Sequence, residues 1–254
     1  MDPRAEASTI ELSIDNGVAE FRFTQPDQRN CVSMEFAEDL CILTDYVFEQ
    51  ENINVIMFTA EGPVFCAGAD VDIAKHGSPK QDQKLRELFH PTAEKLKNSP
   101  TPIIAGARGA AIGVGAELLC GVSDLRVVGQ DIEIWYPETE FGIPMYETIA
   151  RYTREIGSAR ALELILLGES GKLTADEAKR IGLINRIVEP NRIEEVTRNI
   201  SQTISSYESE HGIVSELIEM VQHTNREMSS ASIQYGQQQR REMVLTSVRQ
   251  ANMD

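Results

Sequence analysis

Basic residues are in short supply in this 254-residue chain: 24 Lys and Arg stand against 40 Asp and Glu, a formal net charge of −16. That balance argues against nucleic acid as a partner, because binding it depends on neutralising phosphates with cations. It suits a surface kept soluble in high salt, where screening weakens self-repulsion, or simply an acidic enzyme of ordinary surroundings. Cysteine is scarce as well. Cys31, Cys41, Cys66 and Cys120 have no C-x-x-C spacing, so neither a zinc site nor a disulfide framework is signalled. The four histidines, His76, His90, His211 and His223, form no H-x-x-x-H or H-E-x-x-H pair, and no metal is expected. No apolar run approaches the ~20 residues that span a bilayer, and Met1 to Glu6 lack a signal peptide's apolar segment. The expectation is a cytoplasmic protein without a membrane partner.

What is present is an ordinary globular composition, 41% hydrophobic and 25% charged, in a chain long enough for a sizeable core. Ile10 to Ile14 and Val18 to Phe23 alternate around Asn16-Gly17, a hairpin signal. Ser33 caps a helix expected to run to about Glu49, with Phe36, Leu40, Leu43 and Val47 on one face. Short strands are expected at 54–59, 103–105, 124–128 and 132–134, a loop at 74–81 and a helix at 82–97. From about Glu147 the pattern is nearly all helical, broken at 168–173 and 183–190. Strand-then-helix units recur, so the class is α/β. The expected division is a core over 1–190 and a C-terminal helical region over 191–254 that docks onto another subunit.

Two small-residue loops and two acids carry the chemistry. Val55-Ile56-Met57-Phe58-Thr59 leads into Val64-Phe65-Cys66-Ala67-Gly68-Ala69-Asp70-Val71, a buried strand feeding a tight turn. Read alone, that turn is either a strand-to-helix turn capped by Asp70 or a loop whose backbone N–H groups hold a developing negative charge. The segment Ala107 to Glu117 is a second such loop. Its Gly113-Val114-Gly115 lacks the third glycine of a dinucleotide fingerprint, which leaves a helix N-terminus able to stabilise an anion. One N–H from each loop could meet the same oxygen, as suits an acyl thioester whose carbonyl becomes enolate-like. The proton then needs a carboxylate, and Glu117 and Glu138 are the candidates. Glu138, just past an apolar strand at Trp135-Tyr136-Pro137, is placed to be partly desolvated with its pKa raised.

These segments resemble the crotonase (enoyl-CoA hydratase/isomerase) superfamily along nearly the whole chain. Pro26-Asp27-Gln28-Arg29-Asn30 is similar to its P-x-x-R-N loop and Phe65 to Asp70 to its F-C-A-G-A-D signature. Gly109 to Glu117 resembles G-x-x-x-G-G-G-x-E, Ser123 to Val127 the C-D-L-R strand, and Tyr136-Pro137-Glu138 the L-P-E. Gly157 to Leu164, Leu167-Gly168 and Ala175 to Asn185 look like the tail of the family core. The resemblance implies a crotonase-like spiral of ββα units, a C-terminal helical trimerisation region, and a homotrimer or dimer of trimers. It implies an acyl-CoA thioester substrate, of the kind met in fatty acid metabolism, with coenzyme A as part of the substrate and no other cofactor. The thioester oxygen would be held by the N–H of Ala69 and one from the second glycine loop. Backbone near Ala67 and Asp70 would meet the adenine, with Gln28 and Arg29 near the phosphates and Val71 also at the substrate.

The departures bear on the reaction. Counting from Gly109, Val114 falls on the oxyanion position and Glu117 on the first catalytic glutamate; counting back from Asp124, these become Gly115 and Leu118. One extra residue lies between the landmarks. Trp135 replaces a small glycine and, with Tyr146, is expected to narrow the acyl pocket; Glu147 enters as an extra acid. The reading is an acyl-CoA hydratase or isomerase, a lyase or isomerase using Glu138 with Glu117. The alternatives are a divergent hydrolase or decarboxylase recruiting Glu147 or His90, and a non-catalytic binding protein on the same fold.

Overall fold

The computed structural model describes residues 3–70, 79–143 and 145–224, without the side chains of 79, 80, 82, 146 and 147. Its main sheet begins with the hairpin β1 (Ile10–Asp15) and β2 (Val18–Phe23), antiparallel, with Asp15 opposite Val18. Asn16 and Gly17 take φ of 49° and 76°, the double positive φ that a two-residue hairpin turn needs. The sheet continues in parallel through β3 (Val55–Ala60), β4 (Ile103–Ala107), β6 (Leu125–Gly129) and β9 (Arg186–Val188). A second sheet places β5 (Ala110–Ile112) parallel to β7 (Glu133–Trp135), which pairs antiparallel with β8 (Leu173–Thr174).

Helix α1 (Met34–Phe48) follows the expected pattern closely. Ser33 Oγ accepts the Phe36 N–H at 3.1 Å, and Phe36, Leu40, Leu43 and Val47 are buried on one face. They pack with Phe21, Phe23, Phe58 and Phe65 in the main core. Helix α2 (Pro79–Lys97) starts earlier than the expected 82, and Pro91 lies inside it. The outer face of the sheet, where Val18, Val55, Met57 and Ile104 are buried, is covered by Ile200 and Ile204 of the helix Ile193–His211, the start of the helical C-terminal region. Of the stretches that interrupt the helical pattern, 183–190 holds β9, and β8 starts at the last residue of 168–173. At two and three residues they are too short to show a period-2 alternation. No helix among the described residues is long and apolar enough to cross a membrane.

Candidate active site

The first small-residue turn is fixed by two isolated parallel bridges, Val32 with Ala69 and Cys66 with Ala111. Val32 donates to Gly68 O at 2.8 Å and Asp70 donates to Val32 O at 3.1 Å. These bonds use the groups on either side of Ala69, so its own N–H faces away from Val32. Ala67 donates its N–H to Arg29 O at 3.0 Å, which locks the turn to the 26–30 loop. Asn30 reinforces the same corner, donating Nδ2 to Glu61 O and Val64 O. Ala69 lines a cavity of about 180 Å³ together with Val32, Gly113, Val114, Glu117 and Glu138.

The second loop ends β5 at Gly113, whose φ of 53° and ψ of −119° suit glycine and strain other residues. Its N–H donates to Trp135 O at 3.0 Å, and α3 (Val114–Ala116) starts on the next residue. The first N–H groups of a helix have no acceptor within it, and Val114, at the first helical position, lines the cavity. Gly115 instead abuts the first turn: a Cβ there would lie 2.4 Å from Cys66 O.

Past Ala116 the chain winds into a π turn, Glu117–Val122. A π turn takes one residue more than an α turn, and insertions of one residue produce it. This turn lies between Gly109 and Asp124, the stretch in which the resemblance implies one extra residue. Glu117 lines the cavity, while Leu118 is fully buried in the core. The widened turn is fastened by Ser123 Oγ, which donates to Leu118 O at 2.9 Å, and by the buried Arg126, which donates to Cys120 O at 2.7 Å.

Both carboxyls are shifted toward their neutral forms. Burial pushes the Glu117 carboxyl up, opposed by the positive charges of Lys97 and Arg151 and by a hydrogen bond from Thr148 Oγ1 at 3.1 Å. The same carboxyl folds over Gly121, where a Cβ would come within 2.2 Å of its Cδ. Glu138 sits in the first turn of the 3₁₀ segment Pro137–Phe141. Burial pushes its carboxyl from 4.5 up to about 7; the negative charge of Glu117 adds to this and Arg86 opposes it. Its Oε2 is buried and has no hydrogen-bond partner among the described residues. Such an arrangement holds a proton near neutrality and leaves an oxygen free to pass it on.

Other expected residues are placed elsewhere. Gln28 and Arg29 are exposed on the outer loop, Ala67 and Asp70 are half-buried beside it, and Val71 lies outside the described residues, as do the side chains of Tyr146 and Glu147. Trp135 does not narrow the cavity. Strand alternation puts Trp135 and Glu133 on one face of β7 and Ile134 on the other, in the core. Lys172 Nζ serves both, 5.6 Å from the indole centroid and 3.1 Å from Glu133. His90, which the alternative hydrolase or decarboxylase reading recruits, lines the cavity; sequence reasoning missed its helix neighbours Arg86 and Glu94, which also line it, and Thr148, which holds Glu117. It also missed the buried hydrogen bond between the hydroxyls of Tyr136 and Tyr152. A charge every fourth residue on an amphipathic helix reads as a solvated face, so no local signal marked Arg86 or Glu94. Among the described residues no three His, Cys, Asp or Glu side chains gather as metal ligands.

Two interlocked sheets wound in strand-and-helix turns, with two buried acids facing one short cavity, define a crotonase-type fold. The comparisons carry this to a family. The enoyl-CoA hydratase/isomerase family model matches residues 13–252, and the chain belongs to that family of enzymes. It is 28% identical over 207 residues to the short-chain-enoyl-CoA hydratase of Clostridium acetobutylicum, covering 79% of this chain and 77% of that one. It is also 28% identical over 207 residues to the mitochondrial enoyl-CoA hydratase domain-containing protein 3 of Rattus norvegicus, covering 80% and 67%. The crystal structure of enoyl-CoA hydratase from Bacillus anthracis superposes with a TM-score of 0.78 at 27% identity, over 89% of this chain and 90% of that chain.

Proposed function

We propose that this chain adds water across the α,β double bond of an enoyl-CoA thioester. The observation that carries the reading is the convergence of Glu117 and Glu138 on one cavity that Ala69 and Val114 also line. The thioester oxygen would accept the N–H groups of Ala69 and Val114, where enolate charge develops. One carboxylate takes a proton from the water whose oxygen bonds to Cβ. The other, as the acid, gives a proton to Cα, so that one water is consumed and no charge is left over. Glu138, held protonated up to about pH 7, suits the acid role. Two acids rather than one favour hydration over the isomerase reaction, which a single shuttling carboxylate can perform.

The test is hydration of crotonyl-CoA, followed by loss of the conjugated enoyl absorbance. Glu138→Gln is expected to lower kcat by at least ~100-fold while the variant stays folded near neutral pH. Wild-type rates in that variant would sink the assignment of Glu138. Absence of any turnover by the native enzyme would sink hydration itself.

A further inference from the structure

Glu117 and Glu138 share a cavity but are held differently. Among the described residues nothing hydrogen-bonds Oε2 of Glu138, whereas Oε2 of Glu117 accepts the Thr148 hydroxyl at 3.1 Å. Thr148 is the third residue of α4 (Tyr146–Ile156); it is buried and lines the cavity itself. Threonines inside helices commonly give the hydroxyl to the carbonyl four residues back. Thr92, Thr197 and Thr203 do so, to Leu88 O, Ile193 O and Asn199 O at 2.7–2.8 Å. Thr148 has no helical carbonyl four residues back, since α4 starts only two residues before it. Its donor goes to Glu117 instead. The first turn of a helix also favours a nearby negative charge, through the aligned peptide dipoles.

The rest of α4 keeps that hydroxyl in place. Arg151, Tyr152 and Glu155, three, four and seven residues after Thr148, fall on the same face. Polar groups turned inward need partners, and each of these has one. The Tyr152 hydroxyl bonds that of Tyr136. Arg151 Nε donates to Glu155 Oε1 at 2.7 Å, and Glu155 Oε2 accepts Arg126 Nη1 at 3.3 Å. Arg126 in turn clamps the widened turn that carries Glu117, through Cys120 O and Ser123 O. Helix and turn are tied twice, by Thr148 at the cavity and by the Arg151–Glu155–Arg126 chain away from it.

Resting on the hydratase reading above, which leaves Glu117 to take the proton from water, we propose that Thr148 is a positioning residue whose hydroxyl aims the Glu117 carboxylate and favours its ionised form. The charged and titratable groups acting on Glu117 are Lys97 and Glu94 from α2 and Arg151 and Tyr152 from α4. Tyr136 and Glu138 act on it from the segment after β7, and Cys120 from its own turn. Arg86 and His90 of α2 line the same cavity. Thr148→Val alters none of them; it removes one hydroxyl and keeps the side chain's shape.

The experiment titrates the Glu117 carboxyl directly, by carbon-13 NMR of protein labelled at glutamate Cδ, the signal being assigned by its loss in Glu117→Gln. Thr148→Val is expected to raise the midpoint by about one pH unit, the lower end of what a hydrogen bond to a charged group gives. Thr148→Ser, which keeps the donor, should stay near the native midpoint. The acid limb of kcat/KM for crotonyl-CoA should move with the midpoint, and kcat should fall about tenfold in Thr148→Val, the factor one such bond gives. An unmoved midpoint in Thr148→Val overturns the proposal, as does an equal shift in Thr148→Ser. A shifted midpoint with an unshifted acid limb overturns the part in catalysis while leaving hydration intact. If the native enzyme does not hydrate crotonyl-CoA, hydration fails, and the midpoints still decide whether Thr148 holds Glu117. If Thr148→Val does not fold, Thr148→Ala takes its place with the same readouts.

Discussion

Replacing Gly113 by alanine tests the site through its backbone. The added Cβ would sit 2.6 Å from Glu138 Oε1, far inside van der Waals contact. The φ of 53° also places an L-residue where strain costs roughly 1–3 kcal/mol. In a chain of this size about 1 kcal/mol moves the melting temperature by roughly 2–4 °C, so a fall of about 2–12 °C is expected. The kinetic effect should be larger. The clash is relieved by moving the Glu138 carboxyl by the better part of an ångström, and misplacement on that scale can cost about 100-fold. The assay is paired: thermal melts for the strain, and crotonyl-CoA hydration on folded enzyme for the geometry. A variant that melts lower but keeps its rate within about threefold would refute the idea that Gly113 holds Glu138 in position. One with unchanged melting would refute the backbone strain.

Further outcomes follow from the same geometry. Glu138 holds a proton in the native state between its ordinary 4.5 and about 7, where the unfolded chain has released it. Its contribution to stability is therefore complete below pH 4.5 and lost as pH rises through 7, by at most about 3 kcal/mol before allowing for solvent screening. Melting curves from about pH 5 to about pH 8 should slope downward more in the native protein than in Glu138→Gln; parallel curves would exclude a raised carboxyl. Glu117→Gln should lower kcat by at least ~100-fold with the fold intact, whereas Leu118→Ala should cost about 2–5 kcal/mol of stability and leave folded-enzyme rates near normal. Denaturant titration and kinetics on the pair would reveal a reversal, which would place the insertion on the other side of Glu117.

Much of the architecture was legible because local signals agreed with the final packing. The Asn16-Gly17 turn, the Ser33 cap and the four-residue apolar rhythm of α1 each have one physical reading, and the structure contains all three. Glu117 and Glu138 were legible as candidates by residue type and setting. Which residue followed the second glycine loop into the cavity was not, since a one-residue excess has no address until the backbone shows where the helix widens. Trp135 misled for a related reason: bulk is visible in a sequence, but the face of a three-residue strand is not. Arg86 escaped because a charge on a helix looks the same whether it meets solvent or a cavity.

The widened turn at Glu117–Val122 works as a phase joint between two halves of the molecule. In an α-helix one surplus residue would rotate everything beyond it by about 100° and shift it by about 1.5 Å. Here the widening is confined to a single loop of backbone, clamped by Ser123 and Arg126. Upstream, Glu117 keeps its bearing on the cavity. Downstream, Asp124 still accepts the Ile103 N–H at 2.8 Å and sets the register between β4 and β6. The guanidinium of Arg126 thereby guards the aim of a carboxylate nine positions before it, without touching the cavity.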